Sequence, residues 1–156
     1  MTALEGRVAV VTGVSRRAGI GFAVAAELLA AGASVLAHSW SPHDAEQPWG
    51  KDPVGDAGIV EHLGGERPRE RAAGSGVRRR PRRRPPRRAD HPVPLRAAPG
   101  ADDPDLAERV GRALPAGRWC RPDEVARLVR WLASDESRWI TGQVVNAEGG
   151  FRRWVM

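Results

Sequence analysis

The sequence predicts an α/β fold, an incomplete three-layer arrangement on a parallel sheet with a disordered Arg/Pro-rich middle. Three observations predict it. Residues 7–38 run strand, glycine-rich turn, helix and strand. Residues 102–156 carry two helical patterns and a final strand. Between them, residues 67–100 have no usable apolar periodicity. A chain of 156 residues with 41% apolar content has the length of one domain and enough material for a core.

The N-terminal part, residues 1–65, is the best specified. Arg7 to Thr12 is a short, nearly continuous β-branched run, which suits a strand buried on both faces of a parallel sheet. Gly13 ends it. Gly19 to Ala31 reads as a helix, with Ile20, Val24 and Leu28 repeating at i+4 and alanines on the same side. Gly32 is its C-terminal stop. Ala33 to His38 is a second strand, so these elements form one βαβ unit. From Ser39 the signal weakens into a loop punctuated by Pro42, Pro48 and Pro53, with a helical turn at Ile59–Leu63.

Residues 66–101 are expected to be disordered. Prolines interrupt the arginine run from Arg78 to Arg88, and dense like charge opposes compaction. Order returns in residues 102–156. Leu106, Val110 and Leu114 share one side of a helix that begins at Pro104. Arg121-Pro122-Asp123-Glu124 opens the clearest helix, with proline in the first turn and acids at the positive end of the dipole. Its expected buried stripe is Val125, Leu128, Val129 and Leu132. Gln143 to Asn146 reads as the last strand.

Charge and cysteine usage bound the function classes. The net charge of +6 is local in origin, because 12 of the arginines lie between Arg67 and Arg96 and Lys51 is the only lysine. Cys120 is the only cysteine, so neither an internal disulfide nor a cysteine metal cluster is available. The start lacks signal-peptide order, and the longest apolar stretch is interrupted by Glu27, Gly32 and Ser34. A cytoplasmic protein without a membrane span is the expectation.

The turn Thr12-Gly13-Val14-Ser15-Arg16-Arg17-Ala18-Gly19-Ile20-Gly21 carries the chemistry. A glycine-rich turn between strand and helix lets backbone amides approach a phosphate, which the helix N-terminus also favours. Together with a second block, this stretch resembles the short-chain dehydrogenases/reductases, particularly their ketoacyl-carrier-protein reductase branch. The second block holds Gly117-Arg118-Trp119, Arg121 to Ala126, Trp131 to Asp135, Ile140 to Gln143 and Glu148-Gly149-Gly150. The resemblance implies an incomplete Rossmann-type fold and NAD(P)(H) binding, with a family reaction of hydride transfer between NADPH and a carbonyl or alcohol. By position it makes Gly13, Gly19 and Gly21 the fingerprint glycines. Ser15, Arg16, Arg17 and Ile20 would line the phosphates and adenosine. Five residues separate Gly13 from Gly19, two more than the family's usual spacing.

The second strand ends in His38-Ser39-Trp40, with no acid until Asp44. A carboxylate at that strand end would favour the unphosphorylated ribose. Its absence, and the cations of Arg16 and Arg17, favour NADP(H) over NAD(H), with His38 and Ser39 at the ribose end.

The family's catalytic Tyr-x-x-x-Lys pair is missing. The chain contains no tyrosine, and Lys51 lies in the loop after the second strand. The family's Asn-Asn-Ala-Gly strand end is also absent. His38, His43, His62 and His91 are proton donors by residue type alone, and His38, His43 and Asp44 match no defended metal pattern. No catalytic or metal residue is therefore assigned, and the chain is expected to be inactive. An internal deletion, a frameshift or both would account for the Arg-, Pro-, Gly- and Ala-rich middle. Two alternative functions remain. One is a polyanion or nucleic-acid binder acting through residues 78–88, disfavoured because no aromatic lies between Trp49 and Trp119. The other is a non-catalytic homo-oligomer or partner of an intact homologue.

Overall fold

A computed structural model describes residues 3–64, 104–147 and 149–150. Strand β1 (Val8–Thr12) and strand β2 (Ser34–His38) pair in parallel, Val8 opposite Ser34, Val10 opposite Leu36 and Thr12 opposite His38. Helix α1 (Ile20–Ala30) makes the crossover. Helices α2 (Ser41–Ala45), α3 (Gly55–His62), α4 (Pro104–Ala113) and α5 (Pro122–Leu132) follow, then a 3-10 turn at Asp135–Ser137. The disorder expected over residues 66–101 and the run Arg78 to Arg88 lie outside the described residues. Among the described residues, no helix is long and apolar enough to cross a membrane.

The core sits on one side of the strands. Helix α1 packs against both strands and against α5. Leu4, Val11, Val24, Leu28, Ile59 and Leu63 belong to one buried cluster with the alanines Ala25 and Ala126, both at 0% exposure. Small residues let two helices approach closely. This explains a correction to the expected stripe on α5. Ala126 is its buried residue, Val129 and Ala133 pack against the cluster, and Leu132 remains 42% exposed. The helix is turned toward its small side rather than its leucines. An ion pair between Arg130 and Glu27, 3.3 Å, joins α5 to α1 at the edge of this contact.

Helix α1 follows the expected pattern at Val24 and Leu28, whereas Ile20 is exposed at the first turn. Its end is closed by Gly32 at φ +94° and by the Ala33 amide donating to the Leu28 carbonyl. The segment expected as a loop after Ser39 contains α2 and the start of α3 instead. Pro42 is accommodated because it falls in the first turn of α2. Helix α3 is longer than the expected single turn and buries Ile59, with Leu63 buried just beyond it.

Two further expectations are corrected. β1 is not buried on both faces: Val8 and Val10 are 69% and 66% exposed, as is Leu36 beside them on β2 at 63%. Nothing among the described residues covers that face, although a parallel sheet ordinarily has helices on both sides. Gln143 to Asn146 also forms no strand. The described sheet contains only β1 and β2, and Val144 is 90% exposed. A strand exists by pairing, and this segment has no ladder partner among the described residues.

Candidate functional site

A cavity of about 700 Å³ opens where both strands end and α1 begins. The glycine-rich turn contributes Gly13, Ser15, Arg16, Gly19, Ile20 and Gly21, and the end of β2 contributes His38. Each glycine has a separate reason. Gly13 adopts φ +74°, a conformation side chains disfavour. At Gly21 a Cβ would lie 2.4 Å from the Gly13 carbonyl oxygen, so only glycine allows the helix this close to the strand end. At Gly19 a Cβ would lie 3.1 Å from the Arg16 carbonyl oxygen.

The longer turn is closed on itself, with Ala18 still lining the cavity and Arg17 directed away from it. The Gly19 amide donates to the Arg16 carbonyl at 3.0 Å, closing a β-turn with Arg17 and Ala18 at its tip. Asp52 then anchors the tip. It accepts from the Arg17 backbone amide at 2.9 Å and from the Arg17 Nε at 3.1 Å. Burial alone would raise the Asp52 carboxyl, but Arg17 and the Val54 amide hold it below its ordinary value. Helix α1 has no side-chain cap, and its first residues line the cavity. The amides of an uncapped first turn have no intrahelical acceptor and present the positive end of the helix dipole.

Seven of the nine residues singled out from sequence line this cavity. Arg17 does not, being committed to Asp52. Ser39 does not either, and its hydroxyl donates to Asp56 at 3.3 Å. The structure adds residues that sequence reasoning had not assigned. Trp40, His43 and Asp44 enter from the segment after β2, and Trp119, Cys120 and Pro122 form a wall from the approach to α5.

Asp44 is buried at 7% exposure. Its Oδ1 accepts from the Trp49 indole at 3.2 Å and lies 3.9 Å from the Arg16 Nε. Burial raises this carboxyl, but Ser15, Trp49, Arg16 and His43 outweigh burial and hold it below its ordinary value. The Ser15 hydroxyl acts without a well-aligned hydrogen bond, and Oδ2 is left buried without a partner.

On the opposite wall, burial and Glu124 push the Cys120 thiol up, away from the reactive thiolate. Glu124 itself is lowered to about 2, chiefly by the Arg118 guanidinium and then by the Arg121 amide it accepts at 2.8 Å. This carboxylate fixes the N-terminus of α5 and so the position of the wall.

Other residues considered for chemistry are placed elsewhere. His62 is hydrogen-bonded to the Gly58 carbonyl at 2.7 Å within α3, and Lys51 is exposed. His91 lies outside the described residues. His38, His43 and Asp44 all line the cavity, yet among the described residues no three metal-ligating side chains converge. What the cavity offers is anion binding: an uncapped helix start, a glycine-lined approach and the Arg16 cation. These features fit the pyrophosphate of a dinucleotide.

The C-terminal block matches a family model described as enoyl-(acyl carrier protein) reductase over residues 90–152. Local alignments join the chain to named reductases. An acetoacetyl-CoA reductase of Shinella zoogloeoides is 51% identical over 45 residues, 29% of this chain and 19% of the relative. A 3-oxoacyl-[acyl-carrier-protein] reductase of Thermotoga maritima is 51% identical over 37 residues, 24% of this chain and 15% of the relative. An uncharacterized oxidoreductase of Bacillus subtilis is 56% identical over 40 residues, 26% of this chain and 16% of the relative. The aligned stretches thus span less than a fifth of these relatives. No solved structure matches the chain. The chain is thus similar, over partial stretches, to reductases of the short-chain dehydrogenase/reductase type, including ketoacyl reductase-like members.

Proposed function

We propose that this chain is the cofactor-binding part of a short-chain dehydrogenase/reductase, that it binds NADP(H) in preference to NAD(H), and that it does not reduce carbonyls. The observation that carries the binding reading is the uncapped N-terminus of α1 opening into a cavity lined by Gly13, Gly19 and Gly21. When bound, the cofactor would supply or accept the hydride. The chain's own part is to hold the pyrophosphate against the turn, with Arg16 and His38 toward the ribose end. Arg16 supports the NADP(H) preference alone, because Arg17 is paired with Asp52.

Inactivity rests on composition. No tyrosine is present to donate a proton to a carbonyl oxygen. The family model matches from residue 90, which supports placing the interrupted segment mainly before it. A deletion, a frameshift or both would account for that segment. Expression in a reducing cytoplasm suits the single thiol.

A second reading is pairing with another copy or with an intact homologue. It is favoured by the bare face of Val8, Val10 and Leu36 and the open edges of the sheet.

NADPH fluorescence decides the first reading. Saturable enhancement with millimolar or tighter affinity is expected, together with no oxidation of NADPH when a panel of 3-oxoacyl thioesters is added. Absence of any fluorescence change at millimolar cofactor contradicts binding, and steady turnover contradicts inactivity.

A further inference from the structure

Among the described residues, the arginine that lines the cavity, Arg16, is already occupied. The Arg16 side chain is 20% exposed, its guanidinium lies 5.1 Å from the centre of the Trp49 ring, and its Nε is 3.9 Å from the Asp44 carboxylate. The Trp49 indole donates to that same carboxylate. Ring, cation and acid thus form a closed triangle. Resting on the dinucleotide reading above, we propose that Asp44 and Trp49 are specificity-determining residues that hold Arg16 and compete with a ribose 2′-phosphate for it.

The competition follows from placement and charge. Residues 40–49 follow β2 directly, and the end of the second strand of a βαβ unit is where a dinucleotide's ribose 2′ position lies. A guanidinium engages a phosphate best through its fork of donors, and a carboxylate or ring already using it reduces that gain. Moving Arg16 to a phosphate also removes a compensating charge from a buried acid whose Oδ2 has no partner, which opposes the move. Arg17 cannot substitute while Asp52 holds both its backbone amide and its side chain. Asp44 therefore acts on cofactor choice from several residues beyond the strand end, by occupying the cation rather than by touching the ribose. It sets the NADP(H) preference below what Arg16 alone would give.

The test compares NADPH and NADH affinities of the full chain with those of Asp44→Asn and Trp49→Leu, each first shown to be folded by circular dichroism. Asparagine keeps an acceptor for the Trp49 indole and removes the charge. Asp44→Asn is expected to tighten NADPH about tenfold and NADH less than about twofold. Trp49→Leu is expected to tighten NADPH about threefold by removing the ring beneath the cation. If Asp44→Asn does not fold, Trp49→Leu decides by the same criterion. Equal gains for both cofactors, or no gain for NADPH, overturn the proposal while leaving the dinucleotide reading intact. Failure of all three proteins to bind either cofactor at millimolar concentration overturns both.

Discussion

The two faces of the β1–β2 ribbon differ more than any other pair of surfaces in the molecule. On one, α1 covers Ala9, Val11 and Val35, and α5 packs behind it. On the other, Val8, Val10 and Leu36 are mostly exposed. The residue types on the two faces are alike, and only their surroundings differ. The difference teaches that the strands were composed for a sheet covered on both sides, and that the described chain supplies one of the two helix layers. The supplied layer is also the one that shapes the cavity, because α1 presents its N-terminus and α5 carries the Trp119–Pro122 wall. The shape of this cavity therefore does not depend on a second layer, which is not among the described residues.

Substitutions on the covered face should have the largest effects. Gly21→Val drives a side chain into the Gly13 carbonyl, and about 4 kcal/mol of stability should be lost in urea unfolding. A fully folded Gly21→Val protein would break the claim that this junction is tight. Leu28→Ala removes a buried side chain from the α1 core and should cost about 3 kcal/mol in the same measurement.

Acid should act next. The Glu124 carboxyl is lowered to about 2 in the folded chain, below its ordinary unfolded value. Between those two values the unfolded chain binds more protons, so this contribution is present above roughly pH 4.3 and is lost as pH falls toward 2. Asp44, Asp52 and Asp123 are lowered as well and act in the same direction. Glu124→Gln should reduce the acid-dependent loss by about 1 kcal/mol, a figure discounted for the partial exposure of the pair. An unchanged pH profile would remove Glu124 from the account.

The bare face should respond least. Val10→Thr should change stability by less than about 0.5 kcal/mol, while raising solubility by shrinking an apolar patch. A loss above about 1 kcal/mol would show that something covers Val10 in solution, and analytical ultracentrifugation would tell a second copy from the chain itself.

Much of the covered side was legible in the sequence. The β-branched run, the Val24–Leu28 spacing and the Arg121-Pro122-Asp123-Glu124 start are local signals, and local signals decide where elements begin. What was misread depends on distant contacts. The stripe on α5 was assigned to its larger residues, whereas helix approach is set by Ala25 and Ala126, which carry little hydrophobic signal. Residues 143–146 have strand composition, yet a strand needs a neighbour. The cavity glycines were legible because their spacing encodes backbone needs. Asp44 was visible only as an acid beyond the strand, since the short helix that turns it inward was hidden among prolines. Trp119 and Cys120 reach the cavity through α1–α5 packing, which no local pattern announces. Arg17 was assigned to the ligand because nothing in sequence pairs it with Asp52.

The central claim is that the glycine-rich turn holds a nicotinamide dinucleotide although the catalytic pair is missing. Two-dimensional NMR of the labelled chain during NADPH addition tests it most directly. Amide shifts at Gly13, Ser15, Gly19 and Gly21 and indole shifts at Trp40 and Trp119 are predicted, with Val110 and Leu114 in and after α4 unmoved. No shift at the turn with millimolar NADPH, or shifts confined to the arginines between residues 78 and 88, would contradict it.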